Sequence, residues 1–165
     1  MNTRVIYASH FGNTERLART IATALSSFGP TEAVPAGPLP EVALEGVDVV
    51  IVASPTEGFR QMPAMRAFLE QLPSQVLERV RVTCFDTRIH MPWPLNGSAA
   101  KGMARQLRGK GARFLVSPES FFVQSIKGTQ GAMLLAGEEE RAVQWALNLH
   151  ERYEAVHPHL VASSS

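Results

Sequence analysis

The sequence is poor in cysteine and in net charge. It has a single cysteine, Cys84, among 165 residues, and its formal net charge is +1. One cysteine cannot form an internal disulfide, and its neighbours Val82 and Phe85 predict a small buried side chain in a reducing compartment, so we expect a cytoplasmic protein. A net charge near zero lacks the basic field by which proteins hold nucleic acids, and no nucleic-acid partner is expected.

Long apolar runs and metal-ligand patterns are lacking as well. No apolar run reaches the roughly twenty residues of a membrane helix, and none forms a signal segment at the N-terminus. The five histidines show no metal-site spacing with a carboxylate, and no serine has the glycine pattern of a nucleophile elbow. We therefore expect no membrane association, no metal ion and no catalytic residue.

What is present is an alternation of β-branched runs and stretches of helical period, which predicts parallel strands joined by crossover helices. The apolar fraction of 45% suits one domain, placed at residues 1–155, with a frayed tail at 156–165. Strands are expected at residues 4–9, 31–35, 47–53 and 79–85, and within 112–123 with a break near Ser117 and Pro118. Helices are expected at residues 14–28, 41–44, 63–72 and 98–108, and after Gly137.

The loop after the first predicted strand has the composition of an anion site. Ligands of open parallel sheets bind beyond the carboxyl ends of the strands, and residues 9–14, Ser-His-Phe-Gly-Asn-Thr, connect such an end directly to a helix. Helix-terminal N–H groups attract an anion, Ser9 and Thr14 can donate hydroxyl protons, and Gly12 permits close approach of the backbone. The loop lacks the lysine of a P-loop and the glycine spacing of a dinucleotide fold, which favours a terminal monophosphate.

Three segments together resemble one known family. Residues 6–15, Ile-Tyr-Ala-Ser-His-Phe-Gly-Asn-Thr-Glu, are similar to the FMN-phosphate loop of the flavodoxin family, with Phe11 where many members carry threonine. Residues 50–59, Val-Ile-Val-Ala-Ser-Pro-Thr-Glu-Gly-Phe, resemble the family's loop beside the flavin ring. Residues 84–88, Cys-Phe-Asp-Thr-Arg, stand where the second ring-flanking loop begins, and the resemblance covers about residues 4–153.

The resemblance implies a flavodoxin-like α/β fold, a three-layer doubly wound sandwich around a five-stranded parallel sheet of order 2-1-3-4-5. It also implies non-covalent FMN and electron transfer to or from a redox partner protein, either a reductase or an acceptor. Three loops would then hold the cofactor. The residues expected to bind FMN are Ser9, His10, Phe11, Gly12, Asn13, Thr14, Ser54, Pro55, Thr56, Glu57, Gly58, Phe59, Asp86, Thr87, Arg88 and Trp93.

Several of these residues have two interpretations. Phe59 and Trp93 are the aromatic candidates for stacking on the flavin, and Trp93 is favoured because prolines on both sides present it stiffly; alternatively it fills the end of the sheet. Asp86 either accepts a bond from the flavin or caps its own loop. Glu57 either contacts the cofactor or is a surface turn residue.

The segment between Thr87 and Pro118 contains no acidic residue but six cations. These are Arg88, Lys101, Arg105, Arg108, Lys110 and Arg113. Arg88, with Arg60 as a second candidate, would stand beside the ring and favour the anionic reduced flavin, unlike the carboxylates of acidic flavodoxins. The other cations form either a solvated helix face or a docking surface for a different partner.

Three functions remain open from the sequence. The main prediction is an FMN-binding electron carrier, as a monomer or weak dimer. The alternatives are a small FMN-dependent reductase of quinone-like acceptors and a flavodoxin-like module that binds a partner or small anion without flavin.

Overall fold

The strands and helices of this chain are known from a computed structural model, which describes residues 1–39, 43–91 and 97–158. The strands are β1 (Thr3–Tyr7), β2 (Thr31–Pro35), β3 (Val49–Pro55), β4 (Arg81–Ile89), β5 (Arg113–Phe114), β6 (Glu119–Ser125) and β7 (Ala132–Leu134). The α-helices are α1 (Asn13–Leu25), α2 (Pro63–Gln71), α3 (Ser74–Arg79), α4 (Ala99–Gly109) and α5 (Glu138–Val156), and a 3₁₀ turn at Ser26–Phe28 follows α1.

The strands form one sheet of order β2-β1-β3-β4-β6-β7, with β5 paired to the first part of β4. All neighbours are parallel except β6 and β7, which are antiparallel. The predicted order 2-1-3-4-5 is confirmed, because β5 and β6 together are the predicted fifth strand. The predicted edge position of the second strand and central position of the third are also confirmed.

The predicted break in the fifth strand is confirmed, because the strand is divided at Pro118, which has no N–H to continue a ladder. Other elements differ from the predicted ones. Strand β4 continues to Ile89 rather than ending at Phe85, because β6 pairs with its polar second half. The short helix α3 and the antiparallel strand β7 were not predicted. The predicted turn at 41–44 and the predicted tail fall partly outside the described residues, and α5 itself extends through Val156.

Two apolar layers cover the sheet, which explains why every residue from Val49 to Ala53 is buried. Helices α1 and α5 pack on one face, and α2 and α4 pack on the other. Trp145 of α5 was not predicted to be buried; its ring lies edge-to-face with those of Phe85, at 5.9 Å between centroids, and Phe121, at 6.2 Å. Each such fully buried aromatic contributes about 2 kcal/mol through area burial.

The register of the sheet places the candidate loops side by side. Tyr7 pairs with Ala53, and Ala53 pairs with Phe85, so the carboxyl ends of β1, β3 and β4 lie at one edge. The loops that follow these three strands therefore meet at the same end of the molecule. No helix in the described part of the chain is long and apolar enough to cross a bilayer.

Candidate functional site

The loop after β1 presents a row of backbone donors. Within the described residues, the N–H groups of residues 10–14 have no acceptor; the next two are bonded, Glu15 N to Oγ of Ser9 at 3.4 Å and Arg16 N to the carbonyl of Gly12 at 2.9 Å. Gly12 has φ 84°, in the left-handed region, and a Cβ there would meet nothing within 4 Å. Glycine is therefore required by the backbone conformation and not by crowding.

Two side chains of this loop are tied to neighbouring strands. The buried hydroxyl of Thr14 lies 2.7 Å from the hydroxyl of Thr87 in β4. One of the two hydroxyl protons makes this bond, so the other remains to be donated to a ligand. Asn13 donates its side-chain amide to the carbonyl of Ala132 in β7 at 2.8 Å, which fixes the loop against the hairpin.

The loops after β3 and β4 are joined by the carboxylate of Asp86, which is fully buried. Its Oδ2 accepts hydrogen bonds from the hydroxyl of Thr56 at 2.9 Å, the hydroxyl of Ser98 at 2.7 Å and the N–H of Ala100 at 3.0 Å. The hydroxyl of Thr56 in turn accepts from Ala99 N at 2.7 Å. Asp86 thus connects the loop after β3 to the first turn of α4.

The loop after β3 makes a tight reversal. Glu57 and Arg60 exchange backbone hydrogen bonds of 2.9 and 3.0 Å around Gly58 and Phe59, both of which have positive φ (52° and 68°). Phe59 is an unusual residue for this conformation and is 58% exposed. Its ring lies over Gly97, where an added Cβ would be 2.1 Å from Cδ1 of Phe59. At the start of the loop, the buried hydroxyl of Ser54 accepts from Met62 N at 2.9 Å.

Arg88 is held beside the cleft by its neighbours. Its Nε donates to the hydroxyl of Ser120 at 3.1 Å and lies 3.8 Å from Oδ1 of Asp86, and its guanidinium lies 5.3 Å from the ring centroid of Phe122. The side chain is only 12% exposed. The charge of Arg88 is therefore partly balanced by Asp86 before any ligand is considered.

Two adjoining cavities run along these strand ends. The first, of about 110 Å³, extends from the loop after β1 to Arg88, and the second, of about 180 Å³, lies under Phe59. Both are lined by Thr56, Arg88 and Ile89. A larger cavity of about 560 Å³ lies at the break between β5 and β6, so cavity volume alone does not identify the functional site.

The cavities bring most of the predicted binding residues together. Those lining the first or second cavity are Ser9, His10, Phe11, Asn13, Thr14, Pro55, Thr56, Glu57, Gly58, Phe59, Thr87 and Arg88. Ser54 and Asp86 are buried beneath the loops, and Trp93 lies outside the described residues. Ile89, Met91, Gly97, Val123 and Ala132 also line the cavities and were not predicted. The apolar pair Ile89 and Met91 is 47% and 38% exposed.

Most of the predicted basic run stabilises the fold. Lys110 donates to three carbonyls at the end of α2, at 2.6 to 3.0 Å, and Arg113 donates to the carbonyl of Glu78. The guanidinium of Arg108 lies 4.5 Å from the ring centroid of Phe114. Lys101 and Arg105 have no such contact within the described structure, so they are the two cations of the run that solvent surrounds.

Cys84 lies under α4, where its thiol contacts the carbonyl of Ala100 at 3.4 Å. Burial, with a smaller effect of Asp86, raises the pKa of this thiol to about 12. The thiolate is therefore not formed near neutral pH, and Cys84 is a packing residue. In the part of the chain that the structure describes, no group of three or more histidine, cysteine or acidic side chains is arranged so that it could hold a metal ion.

Comparison with known proteins gives one family-model match and several solved structures of the same fold. The family model for flavodoxin matches residues 5–145. The fold is similar to that of oxidised flavodoxin 1 from Bacillus cereus, with a TM-score of 0.71 and 18% identity over 92% of this chain and 98% of that one. The Streptococcus pneumonia TIGR4 flavodoxin gives a TM-score of 0.70 and 19% identity over 92% of this chain and 99% of that one.

The same fold is found within a larger protein. Rubredoxin oxygen:oxidoreductase from Desulfovibrio gigas has a TM-score of 0.68 and 17% identity over 92% of this chain but only 37% of that one. At these identities the solved structures show a shared fold. No curated protein matches the chain by sequence.

Proposed function

The chain belongs to the flavodoxin family, and we propose that it binds FMN and carries electrons between redox partner proteins. The observation that carries the proposal is the row of N–H groups of residues 10–14, for which the described structure offers no acceptor. A phosphate dianion supplies the acceptor oxygens that such a row lacks, and the positive end of α1 stabilises its charge.

The donor set of the loop fits a phosphate without a lysine. The spare hydroxyl proton of the Thr14 and Thr87 pair adds a sixth donor to the five N–H groups. The ring would lie in the second cavity, where Thr56, Phe59 and Gly97 form one wall and Ile89 and Met91 offer apolar surface. Such a mixture, a few polar groups and mostly apolar walls, is typical of cofactor sites.

When bound, FMN supplies a ring that accepts one or two electrons and passes them on. The residues of the chain hold that ring and set the charge around it. The Asp86 network keeps the two ring-flanking loops in fixed positions, and Arg88 places a positive charge beside the cleft. A reducing compartment such as the cytoplasm suits the free buried thiol of Cys84.

The proposal is tested by purifying the protein and identifying its chromophore. A yellow protein that releases FMN on denaturation supports the proposal. Titration of the flavin-free protein should then show tight binding of FMN and much weaker binding of riboflavin, because only FMN fills the phosphate loop. A colourless protein that binds neither flavin overturns the proposal and leaves the flavin-free module.

Carrier and reductase are separated by kinetics. The exposed apolar residues Phe59, Ile89 and Met91 around the second cavity leave its rim accessible, as either function requires. Stopped-flow mixing of the FMN-loaded protein with NADH or NADPH and a quinone should show negligible nicotinamide oxidation without a partner reductase. Rapid oxidation would instead support the FMN-dependent reductase.

A further inference from the structure

The phosphate cavity contains an acid, which is unexpected at an anion site. In the described residues, the ionisable side chains that line it are His10, Glu57 and Arg88. A carboxylate beside a phosphate dianion opposes its binding by like-charge repulsion. Arg88 is bonded to Ser120 and lies 3.8 Å from Asp86, so part of its charge is already balanced by another carboxylate.

His10 is the residue that stands next to this acid. Its Nδ1 lies 2.8 Å from Oε1 of Glu57, which joins the loop after β1 to the loop after β3. Its ring stacks on that of Phe11, with centroids 4.2 Å apart and planes within 11°. The imidazole is therefore held from two sides, although 57% of its side chain is exposed.

The hydrogen bond to Glu57 decides what His10 can offer a ligand. With Nδ1 donating to the carboxylate, a neutral imidazole has only a lone pair at Nε2 and cannot donate to a phosphate oxygen. An imidazolium can donate from both nitrogens at once. Nε2 has no partner within residues 1–39, 43–91 and 97–158, so it remains for a ligand in the cavity.

We infer that His10 binds the phosphate of FMN as an imidazolium, donating one N–H to Glu57 and the other to the phosphate, so that FMN binding takes up a proton. This inference rests on the proposed function. The protonated His10 also shields the phosphate from Glu57. Phosphate recognition by this chain thereby includes an ionisable side chain in addition to the backbone.

The sign of the pH dependence follows from the charges. A bound dianion stabilises the protonated form of His10, so the affinity for FMN should fall as the pH rises and the imidazolium loses its proton. The other ionisable groups nearby are Glu15 of α1, which is bonded to Arg19 and Tyr7, Arg60, which is bridged through its backbone to Glu57, Arg88 of β4, and His90, whose ring centroid lies 5.1 Å from that of Phe122. Carboxylates and guanidinium groups keep one charge state near neutral pH, and His90 is present in both proteins of the test below, so its effect cancels in their ratio.

The test is the dissociation constant of FMN between pH 6.5 and 8.5 for the wild type and for His10→Gln. At pH 6.5 we expect His10→Gln to weaken FMN binding about fivefold, as for a half-exposed ion pair of about 1 kcal/mol, and at pH 8.5 by less than twofold. The phosphate of FMN titrates equally in both proteins, so the ratio of the two constants isolates His10. His157→Gln, whose ring contacts Tyr153 at the end of α5, should match the wild type at every pH.

Calorimetry gives a second readout. FMN titrations at pH 7 in MOPS and in Tris, which differ in ionisation enthalpy, should show a larger proton uptake for the wild type than for His10→Gln. The double variant His10→Gln/Glu57→Gln should bind FMN more tightly than His10→Gln, because the unshielded carboxylate is removed. Riboflavin should bind with the same affinity to the wild type and to His10→Gln.

Three results would contradict the inference, and they are distinguishable. A pH-independent ratio, or equal proton uptake by the wild type and His10→Gln, overturns the inference while FMN binding itself still stands. An equal loss of riboflavin affinity would assign His10 a structural role instead. A wild type without affinity for FMN overturns the inference and the proposed function together.

Discussion

The two sides of the cleft satisfy their polar groups in opposite ways. On one side, the loop after β1 leaves the N–H groups of residues 10–14 without an acceptor in the described structure. On the other, Oδ2 of Asp86 accepts three hydrogen bonds, and the hydroxyl of Thr56 both donates to Asp86 and accepts from Ala99. The first arrangement, which we call the open side, leaves its donors for a ligand. The second, which we call the closed side, bonds Thr56, Ser98 and Ala100 to Oδ2 of Asp86, while the buried Oδ1 has no hydrogen bond in the described structure and lies 3.8 Å from Nε of Arg88.

This difference separates the residues that would bind the cofactor from the residues that hold the loops in position. Changes on the Asp86 side should lower the free energy of unfolding with or without FMN, because they break bonds that the protein makes with itself. Changes in the loop after β1, which we propose binds the phosphate, should lower FMN affinity and have a smaller effect on the stability of the flavin-free protein. The following substitutions measure both quantities.

The largest effect is expected for Asp86→Ala. The substitution leaves three donors and the guanidinium of Arg88 without their carboxylate, so we expect the free energy of unfolding of the flavin-free protein to fall by about 3 kcal/mol. Urea unfolding followed by circular dichroism measures the change. Ser98→Ala is the control, because it removes one of these bonds together with the N-cap of α4. It should lower the free energy of unfolding by about 1 kcal/mol. A loss under 1 kcal/mol for Asp86→Ala would contradict the view that the hydrogen bonds to Asp86 hold these loops in place.

A tenfold loss of FMN affinity is expected for Gly12→Ala. An alanine is strained by about 1 kcal/mol at the φ of 84°, and relief of this strain moves the N–H groups that converge on the phosphate. Fluorescence titration with FMN measures the loss. Gly109→Ala in α4 is the matched control, because a Cβ there also meets nothing within 4 Å, and it should keep FMN affinity and stabilise the helix slightly. Equal affinity of the two variants would show that the loop conformation is not needed.

The sequence predicts the open side well and the closed side poorly. Gly12 and the strand-to-helix junction are local features, and the backbone donors follow from them whatever the rest of the chain does. The partners of Asp86 come from Thr56, 30 residues earlier, and Ser98, 12 residues later, and only the register of β3 with β4 brings them together. A carboxylate at a strand end therefore allowed two interpretations that composition could not separate.

The dependence on partners that are distant in sequence also explains why β7 and the second half of β4 were not predicted. Strand β7 is three residues long and is held by pairing with β6, so its sequence carries little signal of its own. The second half of β4 reads as a polar loop because Asp86, Thr87 and Arg88 interrupt the apolar run, although all three are largely buried in contacts that other elements provide. The strongly apolar β3 was predicted to within two residues at each end.

A smaller effect is expected where the loop after β3 meets the loop after β4. A Cβ at position 97 would be 2.1 Å from Cδ1 of Phe59, so Gly97→Ala must displace that exposed ring. We expect FMN affinity to fall about threefold, with less than 1 kcal/mol of stability lost, because the ring can turn into solvent. In a Phe59→Ala background, Gly97→Ala should have no further effect. If the losses of FMN affinity caused by Phe59→Ala and Gly97→Ala were instead additive, the effect of Gly97→Ala would not come from its contact with Phe59.

The smallest effect concerns charge across the cleft. Arg88 stands on the closed side, where Asp86 partly balances it, but it also lines the cavity. Removing a positive charge disfavours the more negative reduced flavin, so Arg88→Gln should lower the potential of the second electron. A full fixed charge worth 1.4 kcal/mol would shift a one-electron potential by about 60 mV, and the pairing with Asp86 should reduce the shift to about half of that. Redox titration of the FMN-loaded protein measures it, with Arg88→Lys as the control that keeps the charge. An unchanged potential would mean that Asp86 balances Arg88 completely, and the closed side would then position the ring without tuning its charge.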